Sequence, residues 1–167
     1  SSFDFIVSSN MIHHVPHPLK FLKEMNRILK PGGFLLIQEI NASFFMRLFL
    51  RLMRHEGYSF ETDIFDKEVI CTDPNDLWSA NCAIPNLLFD KEEKFNQEMP
   101  GFKIIRSKYC EFLIFLNSGG VIAKTFYIPL PFFFLKTTKI IDDLLIRIFP
   151  KIFALQRQIV LQKINNF

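Results

Sequence analysis

The first forty residues alternate between two hydrophobic rhythms. Phe3–Val7 is a short run of large and β-branched residues, the mark of a buried parallel strand, and Ser8, Ser9 and Asn10 end it with polar positions. After the loop MIHHVPH, Leu19, Leu22, Met25, Ile28 and Leu29 recur at steps of three and four, with Lys20, Lys23, Glu24 and Arg27 between them. That spacing predicts an amphipathic helix. Pro18 suits its first position, Arg27 and Lys30 favour its negative end, and Pro31-Gly32-Gly33 stops it. Phe34–Ile37 then reads as a second buried strand. Strand, helix, tight turn and strand in this order predict a βαβ crossover with both strands parallel in one sheet.

The rhythm is looser further on. Ser43–His55 is strongly apolar with Arg47, Arg51 and Arg54 at helical spacing, a stripe that suits either a solvated face or an anionic headgroup. Phe89–Gln97 reads as a helix ended before Pro100-Gly101, and Phe102–Phe112 as a strand. An aromatic-rich insertion follows at about 113–153, with a helix around Leu135–Ile148 and a last strand at Gln158–Ile164.

Length and charge narrow the class. At 167 residues, with half of them hydrophobic, the chain suits one domain, and a net charge of +3 falls short of the clustered cations that nucleic acid demands. Nucleic acid is therefore not an expected partner. Cys71, Cys82 and Cys110 lie far apart without a CxxC pair, which suggests neither a disulfide framework nor a zinc site and fits a reducing cytoplasm. No apolar stretch is long enough to span a bilayer; the most hydrophobic part, Thr125–Leu135, is cut by Pro129 and Pro131. The start at Ser1 runs straight into a strand, as a fragment would.

The run FDFIVSSNMIHHVPHPLKFLKEMNRILKPGGFLLIQE, Phe3–Glu39, resembles the fourth strand, following helix and fifth strand of class I S-adenosylmethionine-dependent methyltransferases of the type 11-like group. The resemblance rests on Asp4 opening the strand, the small polar strand end, the paired His13 and His14, the proline-started helix with Glu24 and Arg27, and the Lys30-Pro31-Gly32-Gly33 turn. It implies an α/β, Rossmann-like fold: a mostly parallel sheet with flanking helices and an antiparallel final strand, which QIVLQKI would supply. It also implies S-adenosyl-L-methionine as cofactor. The family's upstream strands and glycine-rich turn are missing, because Gly32, Gly33, Gly57, Gly101, Gly119 and Gly120 form no GxGxG-like pattern. The chain is thus expected to be the C-terminal part of a methyltransferase domain, holding one wall of the cofactor pocket.

The same resemblance distributes roles. Ser8, Ser9 and Asn10 would lie beside the methionine end of the cofactor, although serine and asparagine also end strands in ordinary turns. His14 would take a proton from the attacking acceptor, or else bridge loop and helix by packing. His13 and His17 have no comparable role. Glu39, at the active-site end of the fifth strand, would orient an amine or hydroxyl of the acceptor or else be a plain strand-end carboxylate, and Trp78 and Asn81, in the loop DLWSANCAIP, would contact the acceptor. Phe126, Tyr127, Phe132, Phe133 and Phe134 either fill a core or form an apolar lid, and the lid points to a small or lipid-like acceptor handled at a membrane surface. The competing function is a non-catalytic interaction module built on the same half-fold.

Overall fold

The computed structural model describes residues 2–54, 56–66, 68–76, 78–118 and 127–164. Phe126 lies outside them. The chain divides into two compact units, one of Ser1–Ile40, Glu56–Lys108 and Gln158–Phe167, the other of Asn41–His55 and Tyr109–Arg157.

The first unit is a sheet with helices. Its strands are β1 (Phe3–Ser9), β2 (Leu29–Ile40), β3 (Phe102–Cys110) and β4 (Gln156–Lys163), in the spatial order β1-β2-β4-β3. β1 and β2 are parallel, with Phe5 opposite Phe34 and Ser9 opposite Gln38. The expected helix α1 runs Pro18–Ile28 between them. β4 runs the other way. Gln158 reaches Gln38 while Gln162 reaches the carbonyl of Gly32, so the partner in β2 moves backward as β4 moves forward. The Ile164 N–H donates to the Gly101 carbonyl, placing the end of β4 beside the start of β3. Three strands therefore point one way and the last runs against both neighbours, as expected.

β1 departs from its expected burial. Phe3, Phe5 and Val7 are mostly exposed, because β1 has β2 on one side and no described neighbour on the other. The core lies deeper. Leu22 of α1, Leu35 and Ile37 of β2, Phe102 of β3 and Ile159 and Leu161 of β4 are buried together. Two short helices, α3 (Ile84–Phe89) and α4 (Glu92–Glu98), replace the single one read at Phe89–Gln97. Their contribution is Leu88 and Phe95, both fully buried. Lys163 donates from β4 to the carbonyls of Asn26 and Leu29, which closes the otherwise unpaired end of α1.

The second unit is helical. It holds α2 (Phe44–Met53), capped by the Ser43 hydroxyl, then α5 (Leu113–Asn117), α6 (Phe132–Ile148) and α7 (Pro150–Phe153). Phe45, Phe112 and Phe153 stack with ring centres 5.1–5.4 Å apart, which supplies much of its apolar packing. Asp142 of α6 is buried and accepts the N–H groups of Phe112, Leu113 and Ile114, so its charge answers the exposed donors at the start of α5. Four aromatics of the insertion lie outside this packing. Tyr127, Phe132, Phe133 and Phe134 are exposed, against the reading that they fill a core.

Two glycines shape the irregular start of β2, where its register against β1 shifts. Gly32 has φ 77°, and a Cβ on Gly33 would lie 2.9 Å from the backbone oxygens of both Asp4 and Lys30. We expect Gly33→Ala to push β1 from β2 and lower stability by about 1–3 kcal/mol, read as a lower denaturation midpoint at unchanged slope. Asp142→Asn turns one acceptor into a donor facing N–H groups, and should raise hydrogen exchange at residues 112–114 while β2 stays protected.

Candidate functional site

Ligands of open α/β sheets bind beyond the C-terminal ends of the strands. At that end of β1, Asn10 turns the chain with φ 47° and its N–H donates to the Gln38 carbonyl. Left-handed angles are tolerated by asparagine better than by most residues. Residues Ile12–His14 then form one 3-10 turn, whose orientation is set from the neighbouring strand. Glu39 of β2, fully buried, accepts the N–H groups of Met11 and Ile12 at 2.6 Å each through Oε1, and His13 Nδ1 at 2.6 Å through Oε2.

Two further segments close on this turn. Gly57 and Asn81 form a parallel bridge, and the Cys82 N–H donates to the Gly57 carbonyl. The Asn81 N–H donates to the His13 carbonyl, and the Thr72 hydroxyl to that of His14. Glu56 and Cys82 are thereby brought to the histidines. His13 Nε2 lies 3.6 Å from Glu56 Oε2, His14 Nε2 lies 3.7 Å from Glu56 Oε1, and the Cys82 thiol donates to Glu56 Oε2 at 3.2 Å. His14 Nδ1 is 3.0 Å from the Ser79 carbonyl. Burial, followed by the charge of Glu56 and its hydrogen bond and then the charge of Glu39, holds the Cys82 thiol protonated far above the usual thiol range. Cys71, by burial alone, is pushed up to about 11.

The expected site residues occupy different environments. His14 is partly exposed beside Glu56, while His13 is 1% exposed behind it. Ser8 is buried with a hydroxyl that has no hydrogen-bond partner among the described residues, and Ser9 and Asn10 are exposed next to it. An orphaned hydroxyl and an exposed turn at this strand end fit one wall of a cofactor site. Glu39 spends both oxygens on the loop. The Asn81 carboxamide is equally engaged, with Ser59, Thr62 and Ala83, and Trp78 stands out in solvent. Sequence reading missed Glu56 and Cys82 and set His13 aside. No spacing signals them, since a bridge between residues 57 and 81 assembles them.

Comparison with known proteins follows this geometry. Residues 1–62 match a family model described as a methyltransferase domain. The chain is 34% identical over 62 residues to the polyketide synthase-nonribosomal peptide synthetase TwmB of Talaromyces wortmannii, covering 36% of this chain and 2% of that protein. It is 43% identical over 42 residues to the highly reducing polyketide synthase acrA of Aspergillus aculeatus, again 2% of that protein and 25% of this chain. Among solved structures it is similar to a SAM-dependent methyltransferase from Methanosarcina mazei, with 18% identity, TM-score 0.46, and 99% and 61% of the two chains covered. A SAM-dependent methyltransferase from Archaeoglobus fulgidus gives 14% identity, TM-score 0.47, and 97% and 60% coverage. Haemonchus contortus phosphoethanolamine N-methyltransferase 2, in complex with S-adenosyl-L-methionine, gives 15%, 0.43, and 98% and 34%. The chain spans less than two thirds of the length of each of these proteins. Residues 1–62 thus match methyltransferase-domain sequence, and they include β1, α1 and β2 of the α/β sheet.

Proposed function

We propose that the chain serves S-adenosylmethionine-dependent methyl transfer to a small or lipid-like acceptor, with His14 as the group that receives the acceptor's proton. The observation that carries this reading is the clamped loop beyond β1. Glu39 fixes the turn from beneath and the Ser79 carbonyl fixes the His14 ring, leaving His14 as the more exposed of the two imidazoles at the strand ends. A histidine so held loses little freedom when it acts.

The cofactor, when bound, supplies a methyl group made electrophilic by its sulfonium centre. The chain's own residues provide the surroundings. Ser8 offers a hydroxyl with no other partner among the described residues, and the exposed Ser9 and Asn10 extend the same wall. His14 Nε2 accepts the proton as the acceptor's bond forms, and the Glu56 carboxylate, 3.7 Å away, favours the resulting cation. The glycines show no GxGxG-like spacing, and the reading also holds that the opposite wall comes from a glycine-rich segment outside these residues.

The acceptor's lipid-like character rests on the exposed aromatics Tyr127, Phe132, Phe133 and Phe134, a surface suited to apolar chains or a peripheral membrane contact. No helix among the described residues is long and apolar enough to cross a membrane. In the protein carrying the complete cofactor site, His14→Ala should lower turnover by about a hundredfold while calorimetry shows unchanged cofactor affinity. Unchanged turnover would return His14 to a packing role.

A further inference from the structure

Nitrogen, oxygen and sulfur atoms able to bind a cation meet beside the loop turn. A carboxylate and a carbonyl oxygen only accept, so the contacts to Glu39 and to the Ser79 carbonyl place the ring protons of His13 and His14 on Nδ1. The Nε2 atoms of both rings face the carboxylate of Glu56, at 3.6 and 3.7 Å. The Cys82 thiol donates to the same carboxylate at 3.2 Å.

The spacing suits such a cation. Ligand atoms of His13, Glu56 and Cys82 all lie within 4.8 Å of one another, and the two measured edges are 3.6 Å from His13 Nε2 to Glu56 and 3.2 Å from Glu56 to Cys82 Sγ. A tetrahedral zinc ion with nitrogen and oxygen near 2.0–2.1 Å and sulfur near 2.3 Å would separate its ligands by about 3.3–3.7 Å. The support behind the ligand is also in place. A ligating histidine ordinarily passes its other N–H to a carboxylate, and Glu39 takes that of His13 at 2.6 Å.

We propose that His13 Nε2, the Glu56 carboxylate and Cys82 Sγ hold a divalent transition-metal ion of the zinc type, with Glu39 orienting His13 from behind. One nitrogen, one oxygen and one sulfur match zinc's borderline softness, and three protein ligands leave a fourth position for water. As the Sγ–metal bond forms, the thiol proton now shared with Glu56 leaves to solvent, so binding strengthens as pH rises. The inference rests on these side chains alone, independently of the methyl-transfer reading.

The test uses the whole chain, stripped of metal and titrated with cobalt(II) and then zinc(II). One cobalt per chain should bind with a thiolate-to-cobalt charge-transfer band, and zinc should displace it. Cys82→Ser should remove the band, and Glu39→Gln should weaken binding by about 10–100-fold, with circular dichroism confirming the fold of each variant. Should Cys82→Ser fail to fold, X-ray absorption on the zinc-loaded wild type decides, with one sulfur among nitrogen and oxygen ligands expected. Absence of stoichiometric binding, a band that survives Cys82→Ser, or a first shell without sulfur would each overturn the proposal.

Discussion

A carboxylate withdrawn from water must find hydrogen bonds where it is, and Glu39 finds three on the loop that leaves the neighbouring strand. Losing one partner of such a buried charge typically costs about 3–5 kcal/mol, so the loop has little freedom to sit elsewhere. Much of the site follows from this one constraint. The backbone of Met11 and Ile12 is drawn onto the end of β2, His13 is turned with its Nδ1 inward, and its carbonyl is left to receive Asn81. Asn81 in turn lies on the bridge that carries Glu56 and Cys82 into place.

The second unit uses the same physics for a different end. Asp142 is also buried and also accepts three N–H groups, but they belong to the first residues of a short helix. Nearby Glu111, in a left-handed conformation at φ 62°, is held above the ordinary carboxylate range by burial and then by the charge of Asp142. One buried charge is fully answered by backbone donors, and its neighbour bears the electrostatic consequence.

Where the pattern was local, the sequence was readable. Pro18, the three-and-four spacing of Leu19 to Leu29 and the Pro31-Gly32-Gly33 turn each act within a few residues, and the βαβ unit they predict is present. Burial of β1 was not readable, because a continuous apolar run reports a strand's composition and not how many neighbours the sheet gives it. The helix read at Phe89–Gln97 breaks at Asp90 and Lys91, where no proline or glycine marks the turn. Ser8 and Glu39 could be positioned because they sit in the last residues of strands, and His14 because it follows one. Glu56 and Cys82 could not, since their meeting depends on the pairing of segments 24 residues apart and on a loop folded over them.

The strand order has a bearing on how the molecule is made. β4 is the last strand along the chain, yet it lies between β2 and β3. As the polypeptide emerges, β1 and β2 can pair at once, with only α1 and its loop to close. β3, by contrast, has no neighbour in the sheet until some fifty residues later β4 has been synthesised and slides in between. Contacts that distant are slow to form. Until β4 emerges, the growing chain therefore carries an open flank on β2 and, once it is made, an unpaired β3. That interval is the stretch of its life cycle in which the protein would most depend on a chaperone to hold it.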